Sequence, residues 1–296
     1  MIDISNSPIE KIKFKNKIFH IKRDDLLHED FSGNKARKFH YYLINQFPNI
    51  DTIVSYGSNQ SNAMYSLSVL AKLKKWNFIY YVDHIPSYLE QNPNGNYKEA
   101  LDNGMKLIIG KELFNIEKSK KEKNQLYIQE GGATVEASYG LKILANEIVK
   151  YCKTDNIKDI KVFLPSGTGT TALFLQKYLP YEVLTVPCVG NSIYLEKQFS
   201  LLEDDKLKYP KILEPKKRYH FGKLYKEHYI LWQELKKDTD IEFDLLYDPI
   251  GWETLLNYRQ TLDSKTEVIY LHQGGLKGNI SMEERYLHKF QNFSKL

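Results

Sequence analysis

The sequence predicts an α/β protein whose open, mostly parallel sheets are covered by helices. Two observations predict it. Short apolar runs alternate with longer helix-like segments, the pattern of parallel strands joined by crossover helices. Several of the runs also end in loops of glycine and small polar residues, and open parallel sheets bind ligands at the carboxyl ends of their strands.

Taken in order, residues 52–56 form an apolar run that ends at Gly57, and 62–74 read as a helix. Strands are expected at 78–82, 105–109 and 126–128, the last leading into Gly131-Gly132. A long helix fits 135–151, with Leu141, Leu144, Ala145, Ile148 and Val149 on one face. Strands follow at 160–164, 183–186 and 268–271. Asn92-Pro93-Asn94-Gly95-Asn96 reads as a turn inside a unit. No repeat or low-complexity segment interrupts the pattern. Two lobes are expected. A smaller one would span residues 49–149, and a larger one would combine 1–48 with 150–296.

At 296 residues the chain can bury a large core. Its 42% hydrophobic and 27% charged content is that of an ordinary globular protein. The net charge of +5 suits anionic small molecules, and no basic stripe speaks for nucleic acid. Cys152 and Cys188 are too few for a disulfide framework or a cysteine-rich metal site, and read as buried small residues. Met1-Ile2-Asp3-Ile4 lacks the charged head and apolar run of a signal peptide. No stretch approaches the ~20 apolar residues of a membrane span. A cytoplasmic protein without metal or membrane partner is expected.

The chemistry concentrates in five segments. In Ser32-Gly33-Asn34-Lys35-Ala36-Arg37-Lys38, a lysine follows a flexible turn at a helix start. An amine held there can form a Schiff base with an aldehyde cofactor, or can simply be a solvated lysine. Gly57-Ser58-Asn59-Gln60-Ser61-Asn62 offers more hydroxyl and amide groups at a helix start than capping requires. Pro165-Ser166-Gly167-Thr168-Gly169-Thr170-Thr171-Ala172 follows a strand and opens a helix, where small residues and the helix dipole favour an anion. It satisfies the dinucleotide pattern G-x-G-x-x-A, but the next strand ends Val186-Pro187-Cys188-Val189-Gly190 without the acid that holds a ribose. The loop therefore reads as a cup for one phosphate. Gln129-Glu130-Gly131-Gly132-Ala133-Thr134 and His272-Gln273-Gly274-Gly275-Leu276 are strand ends running into paired glycines, either sites or tight turns.

Together these segments resemble the pyridoxal-phosphate enzymes of the tryptophan-synthase-β type (fold type II). Within that group they are most similar to the 1-aminocyclopropane-1-carboxylate deaminase and D-cysteine desulfhydrase family. Arg23-Asp24-Asp25-Leu26-Leu27 with Ser32-Gly33-Asn34-Lys35-Ala36-Arg37-Lys38 is close to its R-D-D-L…G-G-N-K-x-R-K signature. Gln60-Ser61-Asn62 matches its Q-S-N loop, Ser166 to Ala172 its phosphate cup, and His272-Gln273-Gly274-Gly275 its H-T-G-G. The matches keep the family's order over nearly the whole chain.

The resemblance implies two α/β lobes with a pyridoxal 5'-phosphate cleft between them. Lys35 would hold the cofactor and move protons, Asn62 would bond its ring oxygen, and Gly167, Thr168, Gly169, Thr170 and Thr171 would bind its phosphate. Gln60, Ser61 and Asn62 would meet a small amino-acid substrate, Ser61 as an acid–base or nucleophilic group. Two alignments compete for the ring nitrogen. One sets Tyr247-Asp248 on the deaminase's Tyr-Glu pair, making Tyr247 catalytic and Asp248 the nitrogen's partner. The other sets Asp248-Pro249-Ile250 on the family's D-P-V and gives the nitrogen to Gln273. Ala63-Met64-Tyr65 departs from the His-x-Arg that often follows Q-S-N, and Tyr56-Gly57-Ser58 replaces paired glycines. The implied reaction is β-elimination from D-cysteine giving pyruvate and ammonia. The alternatives are 1-aminocyclopropane-1-carboxylate ring opening, a racemase or dehydratase, or a non-catalytic cofactor-binding protein. The family also implies a homodimer.

Overall fold

The computed structural model describes residues 4–120 and 122–290. Met1, Ile2 and Asp3, on which part of the leader expectation rests, lie outside the described residues. The chain opens with a hairpin of β1 (Ile9–Phe14) and β2 (Lys17–Arg23). Its turn residues Lys15 and Asn16 have φ of 47° and 60°, the backbone that closes a two-residue hairpin. Then follow α1 (Gly33–Ile44), β3 (Thr52–Tyr56), α2 (Asn62–Lys74), β4 (Asn77–Val82), α3 (Ser87–Gln91) and α4 (Gly95–Asp102). After these come β5 (Met105–Ile109), α5 (Leu113–Ser119), β6 (Gln125–Tyr127), α6 (Ala137–Thr154), β7 (Ile160–Ser166) and α7 (Thr170–Tyr178). The chain continues through β8 (Glu182–Pro187), α8 (Ser192–Ser200), β9 (Lys211–Ile212) and α9 (Lys226–Thr239). It closes with α10 (Asp248–Arg259), β10 (Glu267–His272) and α11 (Lys277–Lys289).

Two sheets result. One has the order β1-β2-β10-β7-β8-β9, parallel except for β1 against β2; the other has the order β5-β4-β3-β6 and is parallel throughout. The α/β expectation holds. The hairpin was not anticipated: lysines alternate with its apolar residues, so the segment looks like a charged surface until the sheet covers one face of it. Alternation along the central strands feeds two layers. Val268 and Tyr270 of β10 pack with Trp252 of α10, while Ile269 and Leu271 pack with Leu141, Leu144 and Ile148 of α6. In the smaller sheet, Ile53, Phe78 and Tyr80 face α1 and α2, and Val54 and Tyr81 meet Phe114 of α5. No helix among the described residues is long and apolar enough to cross a membrane.

A buried charge cluster ties the start of the chain to both units. Arg37 of α1 is fully buried. Its guanidinium donates to Asp24 at 2.8 and 3.0 Å and to both oxygens of Glu147 on α6 at 2.8 Å. Lys22 of β2 adds a bond to Glu147 at 2.6 Å. Burial alone would raise the Glu147 carboxyl, but Arg37 and Lys22 outweigh it and hold its pKa below the ordinary value. Its stabilising contribution is therefore complete above the unfolded-state value of about 4.3 and is lost as pH falls through the lower folded-state one.

Two outcomes are expected. Arg37→Met takes the guanidinium from Asp24 and Glu147, leaves Lys22 as their remaining cation, and lowers stability by about 3 kcal/mol, as urea unfolding would register. Glu147→Gln is less stable at neutral pH but loses less stability on acidification than the parent, which unfolding midpoints from pH 7 down to pH 3 would show.

Candidate active site

Strand ends from both sheets and the start of α1 surround a cavity of about 340 Å³, within the ~300–1,000 Å³ of small-molecule sites. All twelve residues singled out above line it: Lys35, Gln60, Ser61, Asn62, Gly167 to Thr171, Tyr247, Asp248 and Gln273.

Lys35 owes its place to a close backbone meeting. Gly33 has φ +68°, and a Cβ there would lie 2.0 Å from the Gln273 carbonyl oxygen. Only glycine allows this approach. The Asn34 N–H then donates to that oxygen at 3.1 Å, and Asn34 Nδ2 donates to Gln273 Oε1 at 2.7 Å. Gln273 Nε2 donates to Pro165 O at 2.7 Å, so this side chain joins the lysine turn to the end of β7. Lys35 Nζ donates to Asn34 Oδ1 at 3.2 Å. Burial of the amine lowers its pKa to about 8, with the Asp244 carboxylate opposing. Half of such a group is neutral, hence nucleophilic, at a pH where a surface lysine is almost wholly protonated.

His272, given no role from sequence, is a strut. Its Nε2–H donates to Glu242 O at 2.7 Å, and Nδ1 accepts from Gly274 N at 3.2 Å. A carbonyl only accepts, so these two partners define the neutral tautomer.

The loop Gly167–Thr171 crosses from β7 into α7, with Gly169 at φ +71°. The first N–H groups of a helix lack internal partners, so the loop presents donors to an anion. Beside it lies Lys38, a residue to which the sequence reading gave no role. It is buried, and its Nζ donates to Gly131 O at 2.9 Å. Gly131 in turn packs against Thr168: a Cβ on it would sit 3.1 Å from that side chain. Burial, then the charge of Lys35, drives the Lys38 amine well below its ordinary pKa, so an anion in the cavity would restore its proton.

On the opposite wall, Ser61 caps α2, its Oγ accepting from Ala63 N at 3.1 Å and Met64 N at 3.4 Å. Gln60 reaches away to Asn94, donating to its backbone oxygen at 3.1 Å. Asn62 Nδ2 donates to Asp244 Oδ2 at 3.3 Å.

Asp244 is the main residue missed by the sequence reading. It is buried, and its Oδ1 accepts from Leu246 N at 2.8 Å and Tyr247 N at 2.7 Å. That turn delivers Tyr247 and Asp248 to the cavity. Asp248 Oδ2 accepts from Asp244 N at 2.8 Å, and its Oδ1 accepts from the Tyr270 hydroxyl at 2.5 Å. Burial raises the pKa of both carboxyls, and the charge of Asp244 raises Asp248 further. Neighbouring buried carboxylates resist double ionisation, so the pair favours holding a proton. The available signal was the four-residue spacing of Asp244 and Asp248 around a turn.

No protein-family model matches the chain. A putative D-cysteine desulfhydrase 2, mitochondrial, of Oryza sativa subsp. japonica is 23% identical over 92% of this chain and 81% of that protein. A D-cysteine desulfhydrase of Serratia proteamaculans (strain 568) is 27% identical over 64% of this chain and 63% of its own length. The chain is thus similar to D-cysteine desulfhydrases. Among solved structures, an ACC deaminase homologue superposes with a TM-score of 0.80 at 18% identity, covering 97% of this chain and 95% of that one. A hydrogen sulfide-producing enzyme from Fusobacterium nucleatum gives 0.64 at 15% identity, covering 93% and 97%. These likenesses show a fold shared with those two solved structures.

The environment of Lys35 makes a direct prediction. Competitive amine acylation read by mass spectrometry should show Lys35 reacting with a midpoint near pH 8, against about 10.4 for surface lysines. Asp244→Asn removes the charge that supports the protonated form and should move the Lys35 midpoint lower.

Proposed function

We propose that this protein is a pyridoxal-phosphate-dependent lyase acting on a small amino acid, with β-elimination from D-cysteine as its reaction. The observation that carries this reading is that the Lys35 amine and the glycine-rich anion cup Gly167–Thr171 line one cavity; burial lowers the amine's pKa to about 8, in keeping with it. Lys35 would hold the cofactor through its amine. The N–H groups of Gly167–Thr171 and the Lys38 amine would take the phosphate, and Asn62 Nδ2 the ring oxygen. For the ring nitrogen we favour Asp248 over Gln273. Both side chains already have partners, Gln273 in Asn34 and Pro165 and Asp248 in Asp244 N and the Tyr270 hydroxyl; what supports Asp248 is that it is the acidic one, in a buried pair that favours holding a proton.

When bound, the cofactor supplies an electron sink that makes the substrate Cα–H acidic. The protein's own groups do the rest. The Ser61 hydroxyl and the start of α2 are placed to hold a substrate carboxylate. Lys35, its pKa lowered by burial, suits removal of the Cα proton. The Tyr247 phenol is pushed far above its ordinary pKa by burial and then by Asp244, so it stays protonated and can donate. With one water, D-cysteine yields pyruvate, ammonia and hydrogen sulfide. We assign the smaller lobe to residues 49–149, carrying Gln60, Ser61 and Asn62, and the larger to 1–48 with 150–296, with two helices packing across that boundary: α1 on the smaller sheet and α6 against β10 of the larger.

A second reading, 1-aminocyclopropane-1-carboxylate ring opening to a 2-oxo acid and ammonia, draws on Tyr247 and Asp248 both lining the cavity. The two separate in one assay. Purified protein loaded with pyridoxal phosphate should release sulfide and pyruvate from D-cysteine, and Lys35→Ala should lose both activity and the borohydride-fixable cofactor. Turnover of the cyclopropane amino acid alone would select the second reading. A protein that takes up no cofactor overturns both.

A further inference from the structure

The segment Asn92 to Asn96, an ordinary turn by sequence, has a specific task in the structure. We propose that Asn96 is a positioning residue: it fixes the side-chain amide of Asn62 with the nitrogen toward the cavity and the oxygen away from it.

An asparagine amide is nearly symmetric in shape, so nothing in its own geometry decides which end faces a ligand. Asn96 decides it for Asn62. Asn96 is 1% exposed. Its Nδ2 donates twice, to Asn62 Oδ1 at 2.6 Å and to the Gln60 carbonyl at 3.0 Å. An amide nitrogen can only donate, so the end of Asn62 that meets it must be the oxygen. Asn62 Nδ2 is left pointing to Asp244 at the long distance of 3.3 Å. It is available to a better acceptor.

Two further observations separate this task from simple packing. Among the described residues, the buried Asn96 Oδ1 has no hydrogen-bond partner. A site that needed only volume would be better served by an apolar residue, because a buried unpaired acceptor is destabilising. What the position uses is the donor. In the structure Asn96 lies in the first turn of α4, and that helix start is held from behind. Asn94 Nδ2 donates to Glu284 of α11 at 2.6 Å, and Gly95, at φ +54°, leaves a Cβ only 3.2 Å from the Ser281 side chain. Asn96 lines not the main cavity but a second one of about 290 Å³ that shares Asn62 as a wall. It therefore acts through Asn62 and touches nothing bound in the main cavity.

The inference rests on the functional reading, in which the acceptor met by Asn62 is the cofactor's ring oxygen. The test compares Asn96→Asp and Asn96→Leu by fluorescence titration with pyridoxal phosphate and by the pH dependence of the bound cofactor's absorption band. Asn96→Asp keeps the shape but offers only acceptors when ionised, so it should turn the Asn62 nitrogen away from the cavity. Asn96→Leu removes the donor without offering an acceptor. Positioning predicts cofactor affinity falling about tenfold, the effect of one lost hydrogen bond, with Asn96→Asp the worse of the two and the band's pH midpoint displaced. It also predicts that neither change adds to the loss already caused by Asn62→Ala. A merely structural role predicts the reverse order, additive losses and an unmoved midpoint, and any of these overturns the proposal. If Asn96→Leu does not fold, Asn96→Asp with Asn62→Ala completes the cycle. Normal uptake of cofactor by the parent with unchanged variants defeats the Asn96 role alone. A parent that binds no cofactor defeats the functional reading, and this role with it.

Discussion

The buried guanidinium of Arg37 is the constraint on which the rest of the site depends. It lies one half-turn beyond Lys35 on the same helix, and its partners Asp24 and Glu147 come from the end of the first hairpin and from α6. A buried cation with fewer partners would be costly, so the three segments can meet in only one arrangement. That arrangement orients α1 and carries Lys35 to the cavity wall. The Gly33–Gln273 contact then sets the last few ångströms.

The same economy runs through the other walls. Three of the loops that face the cavity are pinned by a buried polar group: His272 for the paired glycines, Asp244 for the Tyr247 turn, Asn96 for the Gln60-Ser61-Asn62 loop. Loops without regular structure hold a fixed shape only when their backbone groups find partners. Here those partners are buried side chains, two or three positions away for His272 and Asp244 and 36 positions away for Asn96. The outcome is a cavity whose lining is positioned before any ligand arrives, which lowers the ordering cost of binding.

The electrostatics follow from that enclosure. Lys35, Lys38, Asp244 and Asp248 all carry shifts driven first by loss of water; one another's charge comes next for all but Asp244, where hydrogen bonds from Tyr247, Leu246 and Asn62 precede it. Two amines reluctant to be charged face two carboxyls reluctant to be charged, and a ligand with a dianionic end and a basic nitrogen would relieve both. Such mutual relief, rather than any single contact, is the physical argument for a pyridoxal-type occupant.

By itself the sequence determined the strand and helix alternation, the lysine turn and the glycine-rich cup. These are local features: a 2-residue or 3.6-residue period, a glycine where backbones must approach, and a helix start after a strand are written in neighbouring residues. The helix at 62–74 was legible for that reason, as was the loop before it. The tertiary structure alone decided which polar groups work together. Asn62 meets Asp244 across 182 positions, and Asn34 meets Gln273 across 239. Lys38, Asp244 and Asn96 are unremarkable in their local sequence. Their roles come from burial and from partners that only the folded chain brings near, because a hydrogen bond or a pKa shift depends on distance in space and not along the chain.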